Sequence, residues 1–303
     1  MNDGKRGMLF ATGAYLAWGL LPVYWKSLQQ VPADEILAHR MTWSLGFVAI
    51  LLAARGHWGW LRSVLGDRRV LLTFTASALL LSANWFLYIW AVNADHVVET
   101  SLGYFINPLV NVVLGMVFLR ERLRPVQTVA LLTAAAGVLY LTVNHGRLPW
   151  IALGLAFSFG LYGLLRKTAT LSSLEGLALE TLVLFLPALL YLLYLELEGR
   201  ASFAHAGATT SLLLALAGAA TAIPLLLFAS GARLISMTVL GVLQYIAPTL
   251  QFLLGVFVYD EELTTERLIG FCFVWVALLI FAGEGIAHRQ AALRSPPYAL
   301  DNQ

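Results

Sequence analysis

One stretch of this chain occurs twice: residues 102–123 (LGYFINPLVNVVLGMVFLRERL) return 140 positions later as 242–263 (VLQYIAPTLQFLLGVFVYDEEL). At that offset Leu87 aligns with Leu227, Pro108 with Pro248, Leu114 with Leu254, Gly115 with Gly255, Glu121 with Glu261, and Asn111 with Gln251. A second alignment, offset by 141, sets Gly13, Gly19, Leu20 and Lys26 against Gly154, Gly160, Leu161 and Lys167. A chain that repeats itself in this way folds as two related units. Both copies consist of unbroken apolar runs of about 17 to 23 residues, long enough to cross roughly 30 Å of hydrocarbon as helices and too long for barrel strands.

Composition agrees, since 59% hydrophobic and 12% charged residues, with a mean hydropathy of +0.77, cannot be solvated as a water-soluble surface. The expectation is an all-α membrane protein of ten transmembrane helices. The spans fall at 7–25, 36–54, 70–92, 98–119, 125–143, 149–165, 176–195, 209–230, 236–258 and 266–286. Grouped by the repeat, they give a cytoplasmic start (1–6), a first five-helix repeat (7–143), a second (149–286) and a disordered cytoplasmic tail (287–303). Lys5 and Arg6 precede the first run, but Trp18, Pro22, Tyr24 and Trp25 leave no small-residue cleavage box, so it reads as an uncleaved span. The single cysteine, Cys272, lies within a span and reports no oxidising compartment.

Cations near span ends stay on the cytoplasmic side. With the N-terminus inside, 14 of the 19 Lys and Arg residues are cytoplasmic, Arg120, Arg122, Arg124, Arg166 and Lys167 among them; Lys26, Arg40, Arg147, Arg200 and Arg267 remain outside. Both termini are then cytoplasmic. Five spans per repeat also turn the two copies over, so Arg120, Arg122 and Arg124 end span four inside while Asp260, Glu261 and Glu262 end span nine outside. Inverted repeats of this kind belong mainly to secondary transporters, whose substrate sites lie near the bilayer midplane.

Ionisable side chains within spans are retained where partners or a wet cavity offset their cost. Arg40 and Glu180 are related by the 140-residue offset and are the leading candidates to line a central cavity, although snorkelling to the headgroups is the plainer reading. His39, Glu99 and Glu180 are candidates for carrying a coupling proton. Asn84 and Tyr88 share one helix face, as do Tyr104, Asn107, Pro108 and Asn111 on the next span, with Gln244, Pro248 and Gln251 as counterparts. Such amides also serve as interhelical glue. Pro108 and Pro248 should kink or open their helices near mid-membrane. Tyr15, Trp18, Trp43, Trp85, Tyr88, Trp90, Tyr104 and Tyr245 can wall a pocket, whereas Tyr24, Trp25, Trp58, Trp60 and Trp150 sit where interfacial anchors belong. The connection 55–69, mixing Trp58 and Trp60 with Arg55, Arg62, Arg68 and Arg69, is expected on the lipid surface.

The sequence contains no GxxxxGK[ST] loop, no HExxH, no GxSxG elbow and no His or Cys cluster at metal spacing. No cofactor, metal, nucleotide or nucleic acid is therefore expected, and no enzymatic activity. A non-transporting scaffold, or less readily a lipid-modifying enzyme, stays open beside the transporter.

Segments 35–44 (EILAHRMTWS), 84–93 (NWFLYIWAVN), 99–109 (ETSLGYFINPL), 152–167 (ALGLAFSFGLYGLLRK) and 244–249 (QYIAPT), with the span ends at 121–123 and 261–263, resemble the EamA group of the drug/metabolite transporter superfamily. The likeness covers roughly residues 7 to 286. It implies ten helices in two inverted repeats, a bacterial inner-membrane location and a central cavity, and it places Arg40, Asn84, Trp85, Tyr88, Glu99, Tyr104, Asn107, Glu180 and Gln244 at positions the family shares. The expected partners are a small amphipathic or zwitterionic metabolite or drug and the bilayer, with export favoured over import and homodimerisation left open.

Overall fold

A computed structural model describes residues 2–56, 58–93, 96–145, 148–259 and 265–294. These form helices α1 (Asp3–Lys26), α2 (Ala33–Arg55), α3 (Trp60–Leu65), α4 (Arg68–Asn93), α5 (Val97–Leu119), α6 (Pro125–His145), α7 (Trp150–Thr168), α8 (Ser173–Leu197), α9 (Ala208–Leu234), α10 (Met237–Gln244), α11 (Ile246–Val258) and α12 (Thr265–Arg294). No strand occurs among the described residues. Among the described residues nine segments are long and apolar enough to cross a membrane, one of them the pair α10–α11 taken together. The remaining long helix, α7, spans 19 residues, and Arg166 and Lys167 in its last turn lower its hydropathy.

Large apolar side chains face outward along these helices, for example Ile50 (69% exposed), Phe86 (68%) and Leu279 (73%). In water such a surface would aggregate; in hydrocarbon it is the solvated face. Small residues are turned inward, where helices associate by close packing rather than by the hydrophobic effect.

The chain divides into two compact units that cut across the two repeats. One comprises residues 1–121 and 149–261; the other comprises 122–148 and 262–303. In the second, α6 and α12 run antiparallel, with Gly137 against Phe273 and Arg124 reaching Glu284 at 2.5 Å. Helix α12 continues to Arg294, beyond the expected span end at 286; the tail's last residues, 295–303, lie outside the described residues.

Within the larger unit the repeat reappears as contacts. Gly13 of α1 faces Leu227 of α9, and Gly154 of α7 faces Leu87 of α4, which are the same two pairs of aligned positions with the halves exchanged. Likewise Gly19 meets Leu250, and its counterpart Gly160 meets Val110. The copies run in opposite directions: the first turns of α1, through Gly7, and the last turn of α7, through Lys167, both meet Ile235 at the end of α9.

Two local outcomes depart from the expectations. Trp60 and Val64 of α3 are 7% and 2% exposed and join the main core, so the 55–69 connection is pinned to the bundle rather than resting on lipid alone. Pro108 leaves α5 continuous, whereas the equivalent span opens at Tyr245, three residues before Pro248, and so divides into α10 and α11. Proline frees the carbonyl four residues earlier without dictating how far the helix must open.

Candidate functional site

A cavity of about 220 Å³ lies inside the larger unit, walled by α1, α2, α4, α5, α7, α9 and the α10–α11 span. Of the residues singled out from sequence, Tyr15, Trp18, Arg40, Asn84, Trp85, Tyr88, Tyr104, Asn107, Gln244, Pro248 and Gln251 line it. Trp25, Thr221, Phe159 and Leu225 line it as well, although the sequence reading did not place them there.

Among the described residues Arg40 is the only charged side chain on this wall. Its guanidinium carbon stands 4.8 Å from the ring centre of Trp25 and 4.7 Å from that of Trp85. Its Nε donates to Thr221 Oγ1 at 2.9 Å. Two indole faces so placed attract a cation electrostatically. On the same wall the rings of Tyr88 and Tyr104 meet edge to face with centroids 6.2 Å apart.

The amides divide into structural and available atoms. Asn84 Nδ2 donates to Leu155 O (2.8 Å) and Ser158 Oγ (2.9 Å), tying α4 to α7. Gln251 Nε2 donates to Trp18 O at 3.2 Å, tying α11 to α1. Gln244 Oε1 accepts from Asn111 Nδ2 at 2.6 Å. Asn107 Oδ1 is buried with no hydrogen-bond partner, as is the Tyr15 hydroxyl. Buried polar atoms left unpaired cost free energy, and both atoms belong to residues that line the cavity.

Several candidates lie elsewhere. Asn111, through its bond to Gln244, stands behind the wall rather than on it. Tyr245 is buried and donates to Phe105 O at 3.2 Å, closing the opened turn onto α5. Trp43 is 38% exposed and donates to His39 Nδ1 at 3.2 Å. His39 Nε2 lies 3.8 Å from Glu35, whose carboxylate accepts from the backbone and hydroxyl of Ser202. This network lies off the cavity wall. Glu99 is in α5, but its side chain falls outside the described residues.

Glu180 is also away from the cavity. It is 1% exposed, accepts from Ser77 Oγ at 2.5 Å and faces Arg166 at 3.7 Å. Arg166, read from sequence as a cytoplasmic end charge, is 2% exposed and lies over Phe74. Its Nη2 donates to Ser173 O at 2.8 Å. Space for the guanidinium comes from Gly176, where a β-carbon would fall 1.9 Å from Arg166 Nη1. The sequence did carry a signal: Trp25 and Arg166 share the 141 offset. Each lies against one member of the Arg40–Glu180 pair.

Glu121, the acid of the first repeat's RERL end, caps α10. Its carboxylate accepts from Met237 N (2.6 Å), Thr238 N (2.9 Å) and Thr238 Oγ1 (2.7 Å). Its counterpart Glu261 lies outside the described residues.

Against known proteins, the family model of the EamA-like transporter family matches residues 5–143. The chain is 48% identical to "Protein RarD" of Streptomyces exfoliatus, over 94% of this chain and 90% of that one. It is 43% identical to "Protein RarD" of Escherichia coli K12, over 93% and 95%. It is 47% identical to "Uncharacterized transporter YojE" of Bacillus subtilis, over 96% and 98%. A solved crystal structure superposes with a TM-score of 0.70 at 22% identity, over 90% of this chain and 96% of that one, which is a likeness of fold.

Proposed function

The chain belongs to the EamA-like transporter family, and from that premise we propose that it is a secondary transporter carrying a small amphipathic or zwitterionic metabolite or drug by alternating access. One observation carries the mechanism. A bundle whose halves are related by inversion is hollow around Arg40, at the end where α1 and α4 finish, and closely packed around Glu180, Arg166 and Phe74, at the end where α7 finishes. Two copies of one design in two different states is what a rocking carrier caught with one side open would present. At the packed end, the Glu180–Arg166 pair and the Glu121 cap join helices that must part for that side to open. Glu180 then acts as a gate residue, and Arg40 with its aromatic walls as the solute site.

By the positive-inside rule the hollow end faces outward and both termini are cytoplasmic, and the bacterial relatives support the inner membrane as its location. The relatives named as transporters support this reading, as they do a protein that moves a solute without transforming it.

The test is counterflow in proteoliposomes, with labelled amino acids, organic acids and cationic drugs, each with and without a pH gradient. The expected result is saturable exchange of at least one class that is lost with Arg40→Gln, while the protein still reconstitutes. Exchange no greater than in empty vesicles for every class would reject transport in favour of a scaffold.

A further inference from the structure

We propose that the solute held in this cavity bears an anionic group, a carboxylate or phosphate, that docks on Arg40. The inference rests on the reading of the cavity as the transported solute's site, and it fixes the sign of the charge that site accepts.

A permanent cation inside an apolar bundle is retained where a counter-charge or water offsets its desolvation. Arg166 shows one solution in this same chain, since its carboxylate partner Glu180 is built in. Arg40 occupies the inverted counterpart of Glu180, and among the described side chains no carboxylate lies on the wall it shares. Only its Nε is hydrogen-bonded, to Thr221; its two terminal nitrogens have no acceptor among the described residues. The two neighbouring tryptophan rings compensate the charge in part, and neither offers those nitrogens an acceptor. A guanidinium with unpaired terminal nitrogens takes a carboxylate or phosphate in bidentate fashion.

The rest of the wall sets the body of that solute. Trp18, Phe159 and Leu225 provide apolar area on the same wall, which suits a flat or aliphatic body attached to the anionic group. A wall whose described charge is one cation disfavours solutes whose only charge is positive.

The experiment compares three compounds of one skeleton: phenylacetate, neutral phenylacetamide and cationic phenethylamine. Binding to the full chain in nanodiscs of zwitterionic lipid is read calorimetrically, and exchange is read separately in proteoliposomes. The expected result is binding of phenylacetate, with phenylacetamide and phenethylamine weaker by roughly tenfold or more, the loss that follows from removing a charge-assisted hydrogen-bonded pair. Arg40→Lys should retain part of the affinity and Arg40→Gln none. The comparison of compounds on the unaltered protein needs no variant to fold. Equal or tighter binding of the amide or the amine overturns the proposal, as does binding of none of the three. Arg40-dependent binding of phenylacetate without exchange of any solute would uphold the anion site and reject transport; exchange of neutral or cationic solutes indifferent to Arg40 would do the reverse.

Discussion

Glu180 and Arg166 are each at most 2% exposed, and their 3.7 Å separation leaves Glu180 Oε2 and Arg166 Nε without hydrogen bonds. A pair so buried and incompletely satisfied contributes little net stability, yet removing one partner strands the other charge. Glu180→Ala is therefore expected to destabilise the protein by about 3–5 kcal/mol, whereas the double replacement Glu180→Leu with Arg166→Met should recover most of that loss. Thermal unfolding in detergent measures both. If the single and double variants melt alike, the pair is not what holds that end. Gly176→Ala tests the same spot sterically, because a β-carbon there would meet both Arg166 and Phe74; its melting temperature should fall with no charge altered. At this scale the sequence was legible by residue type but not by partner. Arg40, Glu180 and the amides stood out as costly residues in apolar runs. Which of them would face a hollow depended on α4, α7 and α8 meeting around Glu180, and no local pattern encodes that meeting.

At the scale of elements, the two equivalent proline spans have taken different forms. α5 passes through Pro108 unbroken, and α10 approaches it so closely that a β-carbon at Gly241 would lie 2.6 Å from the Pro108 carbonyl oxygen. The opened turn at Tyr245 lets α10 follow α5 while α11 follows α1. Pro248→Ala supplies an N–H for the carbonyl of Gln244 and favours one continuous helix. Exchange is expected to slow severalfold while helical content stays level, measured by counterflow and far-ultraviolet circular dichroism; unchanged exchange would make the opening incidental. Glu121 bears on the same span from its other end. Replacing it with alanine removes the acceptor for two N–H groups of the first turn, and about 0.5–2 kcal/mol of stability should go with it. The spans were legible because apolar length is a direct physical demand of hydrocarbon. The break at Tyr245 was not, since Pro108 and Pro248 sit in closely similar segments and differ in the helices packed on them.

At the scale of the molecule, the 140-residue echo is the feature from which the rest follows. The aligned pairs Gly13–Leu227 and Gly154–Leu87 recur as contacts, the direction of the two copies is opposite, and the difference between their ends is the difference between a cavity and a buried ion pair. A rocking carrier should exchange those two conditions. The direct test is a pair of spin-label distances in a Cys272→Ser background, one from Arg6 to Thr170 at the packed end and one from Gln29 to Glu198 at the hollow end, all four being exposed positions. The account predicts two populations in which one distance lengthens as the other shortens, with their balance moved by added solute. A single fixed distance at both ends, or two distances that grow and shrink together, would contradict it.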